Sequence, residues 1–329
     1  MGDITDAAPA AAAACDAPPP AMTKENNLFM RIAVHPDGTV TRPEVPLLPP
    51  SSSSAAAVVS RDVPLDASLG TYLRLYLPAV PPSPPAAKLP IILFFHGGGF
   101  VLFSPATAFY HAHCEAMAAA VPCVVASLEY RLAPECRLPA AYDDAASAVA
   151  WLLGDAAADD PCLAARGDLS RCYLMGSSSG GNMAFFAGLR AAPAAAVRGL
   201  MLHQPYLGGV DRTPSEAASG DDDMLPLEAS DKLWSLALPV GADRDHEFCN
   251  PAKAMAPEAL AGLPRCLVTG NRGDPLLDRQ REFARWLREQ GGVEVVAKTD
   301  HEGGHASELF VPERAQELFA AVREFLLLR

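Results

Sequence analysis

The chain has 329 residues, half of them hydrophobic and a fifth charged, with 39 acidic against 26 basic side chains and a net charge of −13. That length can bury a full core, as one large domain or two small ones. The acidic balance, with no cluster of Lys or Arg, excludes a polyanionic partner such as nucleic acid, and no apolar run approaches the length needed to span a bilayer.

In chain order, "MGDITDAAPAAAAACDAPPP" has no basic residue before Lys24. It lacks the basic start and strongly apolar centre of a signal peptide. Asp6 stands where an acylation signal beginning at Gly2 would need Ser or Thr. Residues 1–22 therefore read as a disordered tail. Residues 23–57 form an N-terminal arm, with a short apolar stretch, a turn at Asp37-Gly38, several prolines and the flexible connector "SSSSAAA" from Ser51. "VVSRDVPLDASLGTYLRLYLP" is predicted as an antiparallel hairpin turning near Ser68-Leu69-Gly70, and "PAVPPSPPAAKLP" as a proline-rich surface loop.

From there strands and helices alternate. "IILFF" and "CVVASLEY" are buried-strand candidates with a helix around Tyr110–Ala120 between them. "YDDAASAVAWLL" is helix, "CYLMG" strand, "NMAFFAGLR" helix and "GLMLHQPYL" strand. "CLVTG", "RQREFARWLREQ", "VEVVAK" and "ERAQELFAAVREFLLL" continue as strand, helix, strand and helix. Such alternation predicts an α/β protein, a mostly parallel sheet covered by helices on both faces. One stretch breaks the rhythm. Residues 208–250 supply a helix around Trp234 and no strand, an excursion of the kind that forms a lid or cap.

Two glycine-rich segments carry the chemistry. Gly176-Ser177-Ser178-Ser179-Gly180 fits G-x-S-x-G, and it lies between "CYLM" and "NMAFFAGLR" as a strand–turn–helix requires. Small neighbours are needed because a nucleophile on so sharp a turn sits in strained backbone. Ser178 is the nucleophile candidate; Ser177 and Ser179 flank it. "HGGGF" from His96 follows a buried strand, and glycine amides there can approach a developing oxyanion unobstructed. Gly97 and Gly98, with Ser179, are the expected donors, and His96 a loop-shaping hydrogen bonder.

"HGGGF", "YRLAPE" at Tyr130–Glu135 and "GSSSGGN" from Gly176 together resemble the hormone-sensitive-lipase-type α/β-hydrolases, above all the plant carboxylesterases of that group. "LPAAYDD", "LHQPYLGG" and "LPVGADRDHEFCNP" extend the resemblance, which covers the chain from about Asn27 to its end. It implies an α/β-hydrolase fold over residues 58–329, with a cap made by the arm and by the insertion at about 208–250. It also implies relatedness to the gibberellin receptors, which keep the serine, lose the triad histidine and close the arm over a hormone. The chain departs from the group at Ser177, where Asp or Thr is usual.

In this fold the nucleophile is followed along the chain by the acid and then the histidine. Past Ser178 the candidates are His203, His246, His301 and His305, and the late strand "CLVTG" is followed by Asp274 and Asp278. Asp274 lies nearer the strand and matches the family's acid in "GDPLLD"; Asp278 reads as a first-turn charge. His305, after two glycines, matches the family's histidine, with His301 the runner-up. Phe100, Leu233 and Trp234 are candidate pocket walls.

The expected activity is that of a serine carboxylesterase on small, largely apolar esters, without cofactor or metal. A slow or non-catalytic hormone receptor, and a dehydratase or acyl-transferring lyase, are the alternatives on the same scaffold. His111-x-His113 with Cys114 lacks a carboxylate at ligand spacing and reads as a helix face near the site mouth, and "GDDDM" from Gly220 lacks the alternation of a calcium loop. Arg131, Asp143 and Asp144 read as structural pairs. Eight cysteines without a C-x-x-C pair suggest free thiols in a reducing compartment, the cytoplasm, with the nucleus as a second location.

Overall fold

The structure, a computed structural model, describes residues 23, 25–52, 56–79, 88–192 and 197–328. The predicted tail, part of the serine connector and most of the proline-rich loop lie outside them. The arm carries a two-stranded ribbon, β1 (Ala33–Val34) and β2 (Val40–Thr41), around the Asp37-Gly38 turn. The hairpin follows as β3 (Val58–Asp66) and β4 (Thr71–Pro78), then β5 (Leu89–Phe95), α1 (Ala108–Ala120) and β6 (Val124–Glu129). Next come α2 (Ala140–Leu153), the short α3 (Asp155–Ala158) and α4 (Pro161–Arg166), β7 (Gly167–Ser177), α5 (Ser179–Ala191) and β8 (Val197–His203). The excursion holds α6 (Pro214–Ala217) and α7 (Leu227–Ala237), and α8 (Pro251–Ala254) leads out of it. The chain closes with β9 (Cys266–Asn271), α9 (Leu277–Glu289), β10 (Val295–His301) and α10 (Pro312–Leu327).

Eight strands form one sheet in the order β10-β9-β8-β7-β5-β6-β4-β3. Only β4 runs against the rest, pairing antiparallel with both β3 and β6. The centre is apolar because it is covered on both faces: Ile91 through Phe95 are each fully buried. Alternation then sorts the side chains. Leu174, Leu200 and Val268 belong to one apolar cluster, with α2 and α5, while Met175, Met201 and Leu267 belong to the other, with α1 and α10. The C-terminal ends of β7, β8 and β9 open onto the loops that carry Ser178, Gln204 and Asp274.

The excursion is tied down at its start. Thr213 and Glu216 form a reciprocal capping box at the head of α6. Buried Glu216 also pairs with buried Arg279 of α9 at 3.1 Å. Asp278 is a first-turn residue of α9, but its carboxylate accepts the Ser215 amide at 2.9 Å and so holds α6 rather than capping its own helix. Arg131 grips Asp144 through several hydrogen bonds, and Asp143 pairs with Arg190 at 2.8 Å.

Candidate active site

Ser178 stands between β7 and α5 with φ 56° and ψ −120°, a left-handed turn that forces its side chain off the sheet edge. The turn is possible because Gly176 and Gly180, two residues to either side, lack side chains. A Cβ on Gly176 would lie 2.1 Å from the Gly180 carbonyl, and one on Gly180 would lie 1.9 Å from the Phe95 carbonyl. The backbone of the turn is pinned as well, since Ser178 N–H donates to the His203 carbonyl at 2.9 Å.

His305 Nε2 lies 2.9 Å from Ser178 Oγ, and its Nδ1 lies 3.0 Å and 3.1 Å from the two Asp274 oxygens. Asp274 is fully enclosed, and its carboxylate also accepts the Leu276 amide, Gln204 Nε2 at 2.8 Å and Gln280 Nε2 at 2.7 Å. Burial works to lower the His305 pKa, but the Asp274 charge and hydrogen bond outweigh it and hold the imidazole above its ordinary range. His301 ends β10 and faces Glu317 at 3.9 Å, away from the serine.

The glycine loop corrects one expectation. Gly97 N–H already donates to the Tyr110 hydroxyl at 2.9 Å, so it is not available to an oxyanion. What Gly97 supplies is room: a Cβ there would meet Tyr110 Oη at 2.6 Å, the Ser177 carbonyl at 2.9 Å and Ser178 Cβ at 3.1 Å. The amides of Gly98 and Gly99 donate to no other group among the described residues. Ser179 is the first residue of α5, where an amide has no partner within the helix. His96 Nδ1 lies 2.7 Å from the Gly97 carbonyl and its ring stacks on Tyr130 at 4.2 Å. Burial pushes its pKa down to about 4, so it is neutral and structural.

The pocket walls also differ from expectation. A narrow cavity of about 20 Å³ opens onto Ser178 and His305. Phe29 of the arm, Met224 of the excursion, Phe103, Phe109, Leu309 and Phe310 wall it, with Gly98 and Tyr110 at its back. Phe100, Leu233 and Trp234 are absent from that lining because all three are consumed in packing. Phe100 wedges against Tyr142 and Trp234, Trp234 stacks flat on Tyr206 at 4.5 Å, and Leu233 fills the space left by the missing Gly99 side chain.

Sequence reasoning missed Gln204 and Asn271, which tie the acid and histidine loops together, and Gln280, which holds the Asp274 carboxylate. Gln204 Oε1 accepts Ala306 N–H at 2.8 Å, and Asn271 Nδ2 donates to the Gly304 carbonyl at 2.9 Å. A polar residue just past a buried strand, one strand over from the nucleophile, was the available signal for Gln204. The "GDDDM" run is a turn: Asp222 accepts the amides of Met224 and Leu225 at 3.0 and 2.7 Å and so aims Met224 toward the cavity. His111 is a buried member of a polar cluster with Arg74, Tyr76 and Ser51, and neither it nor His113 lines the cavity.

Comparison with known proteins places this geometry in context. A family described as alpha/beta hydrolase fold matches residues 92–309. The chain is 41% identical to the Arabidopsis thaliana protein named "Probable carboxylesterase 8", covering 94% of this chain and 95% of that one. It is also 41% identical to a 3-O-acetylpapaveroxine carboxylesterase of Papaver somniferum, over 81% of this chain and 90% of the other. Among solved structures, an esterase of Pyrobaculum calidifontis superposes with a TM-score of 0.69 at 26% identity, over 82% of this chain and 86% of that one.

Proposed function

The chain belongs to the plant carboxylesterases of the α/β-hydrolase-fold family, and on that premise we propose that Ser178, His305 and Asp274 are its catalytic triad. It is a carboxylic ester hydrolase of small-molecule esters. The observation that carries the residue assignment is the unbroken contact from Ser178 Oγ to His305 Nε2 at 2.9 Å and from Nδ1 to Asp274 at 3.0 Å.

The roles follow from that contact. His305 takes the Ser178 proton as Oγ attacks the ester carbonyl, then gives it to the departing alkoxide, leaving an acyl group on Ser178. Water, deprotonated by the same imidazole, releases the acid. Asp274 fixes the tautomer with the proton on Nδ1 and stabilises the imidazolium. The free amides of Gly98, Gly99 and Ser179 face the carbonyl oxygen as it gains charge, each donor worth about 3 kcal/mol.

The cavity supports a substrate class. Its walls are aromatic and aliphatic, and they present no charged side chain besides the His305 imidazole. At about 20 Å³ the cavity is far smaller than an ordinary small-ligand site, so its walls leave little room beside Ser178. Such walls favour a short, uncharged acyl group over a long or charged one, and the poppy relative is named for an acetyl ester. Phe29 and Met224 make the arm and the excursion a joint cap over it. No helix among the described residues is long and apolar enough to cross a membrane. The seven described cysteines are unpaired, which agrees with a reducing compartment such as the cytoplasm.

A p-nitrophenyl ester series from acetate to decanoate, assayed with wild type and Ser178→Ala, tests the reading. kcat/KM is expected to be highest for the short acyl groups, and Ser178→Ala to lose about 10⁴-fold or more in kcat. Turnover retained by Ser178→Ala would refute it.

A further inference from the structure

Beneath the triad, on the opposite face of the sheet, lies a second polar row. Ser177 of β7 is the register partner of His203 in β8, and His203 that of Thr269 in β9. By alternation these three share the face of Met175, Met201 and Leu267, against α1 and α10, while Ser178 points the other way. All three are buried, in otherwise apolar surroundings.

Glu308 closes this row from outside the sheet. Ser177 Oγ donates to Glu308 Oε1 at 2.9 Å, His203 Nε2 lies 3.1 Å from Oε2, and His203 Nδ1 lies 2.7 Å from Thr269 Oγ1. Glu308 is only 4% exposed, yet it sits three residues after His305. Between them Ala306 takes φ 55°. The segment therefore hooks around the sheet edge, with the imidazole above and the carboxylate below. A buried carboxylate that far from water needs partners: the residue preceding the nucleophile donates a hydrogen bond to one oxygen, and the His203 imidazole stands beside the other as a close charge neighbour.

We propose that Glu308 is a positioning residue for His305: anchored by Ser177 and His203, its carboxylate locks the base-bearing loop to the nucleophile turn and places a second anion near the imidazolium. This rests on His305 being the base. The charged and titratable groups around Glu308 come from every side: His203 from β8, His113 and Tyr110 from α1, and His305 from its own loop. Burial raises the Glu308 pKa, but the His203 and His113 imidazoles outweigh it and hold the group down at about 2, so the carboxylate is ionised throughout the working range. His113 itself is pushed to about 4 by burial, and Tyr110 upward by burial, so neither changes charge there.

The test is p-nitrophenyl acetate hydrolysis across pH by Glu308→Gln, Ser177→Ala and His305→Ala. Glu308→Gln keeps the shape and removes the charge, so kcat should fall about tenfold with KM unchanged, as for groups that orient a reactive one. Its acidic limb should move to lower pH, because an anion that favours the imidazolium is gone. Ser177→Ala keeps the charge and removes the anchor; kcat should fall severalfold with the limb in place, and this variant carries the test if Glu308→Gln does not fold. Wild-type kcat in both variants, or a lowered Tm with the pH profile unmoved in Glu308→Gln, overturns the proposal. Turnover surviving in His305→Ala instead overturns the triad assignment on which it stands.

Discussion

Gln204 holds the Asp274 carboxylate through Nε2 at 2.8 Å and the Ala306 amide through Oε1 at 2.8 Å, so one side chain bridges the acid and the loop of the base. It does so from a left-handed position, φ 43°, immediately past β8.

Gln204→Ala should therefore separate what the triad is from what keeps it aligned. Loss of both contacts takes a hydrogen bond from the buried Asp274 carboxylate and leaves the half-buried Ala306 amide without its acceptor, at a cost of about 1–3 kcal/mol in stability. kcat is expected to fall about tenfold while KM for a short ester stays constant. Steady-state kinetics alongside a thermal melt check this; an unchanged kcat would mean that Gln280 and Asn271 suffice.

Asn27 fixes the cap. Buried in the arm, it accepts the amides of Phe29 and Met30 at 2.9 and 3.1 Å, and its Nδ2 donates to the carbonyls of Asp223 and Met224 at 2.7 and 3.1 Å. Both Phe29 and Met224 wall the cavity. Asn27→Ala should raise KM for p-nitrophenyl acetate about tenfold, the equivalent of 1.4 kcal/mol. kcat should be nearly preserved and longer acyl chains gain relative to acetate. Comparing kcat/KM along the chain-length series shows whether the order flattens.

Gly97→Ala should be inactive for a steric reason. The new methyl meets the Tyr110 hydroxyl, the Ser177 carbonyl and Ser178 Cβ together. The expected outcome is a destabilisation of about 1–3 kcal/mol and the loss of most activity. Adding Tyr110→Phe removes only the hydroxyl contact and should not restore turnover, because the backbone contact at 2.9 Å remains. Recovery in the double variant would locate the obstruction at Tyr110 alone.

The pH profile follows from the sign of the His305 shift. The base must be neutral, and Asp274 raises its pKa against the opposing effect of burial. Activity should be full at alkaline pH and fall as pH drops through a point above the ordinary histidine value of about 6.5. Asp274→Asn removes the raising charge, so its residual activity should show an acidic limb displaced to lower pH. A kcat/KM profile of both forms measures the displacement.

The scaffold, and the three side chains that the structure brings into contact, were legible in the sequence for physical reasons. Strands covered on both faces must be continuously apolar, as "IILFF" is, and a strained serine turn must be surrounded by glycine. The walls were not legible. Phe103, Met224 and Phe310 reach the cavity from separate loops, and no local periodicity records where a loop comes to rest. Phe100 and Trp234 look the same in sequence as pocket aromatics, yet their partners Tyr142 and Tyr206 claim them for packing. That the Gly97 amide is already taken depended on Tyr110, thirteen residues away, reaching back to accept it. Glu308 and Ser177, separated by 131 positions, gave no sign of each other.

Two of the cavity's walls come from far-apart stretches, Phe29 of the arm and Met224 in the excursion, while Ser178, Gln204 and Asp274 stand just past strand ends. On the proposed reading, taste in esters and the capacity to break them occupy separate parts of one polypeptide. A lineage could exchange one acyl preference for another through a handful of changes around residues 27–30 and 222–224, and leave the hydrolytic engine untouched.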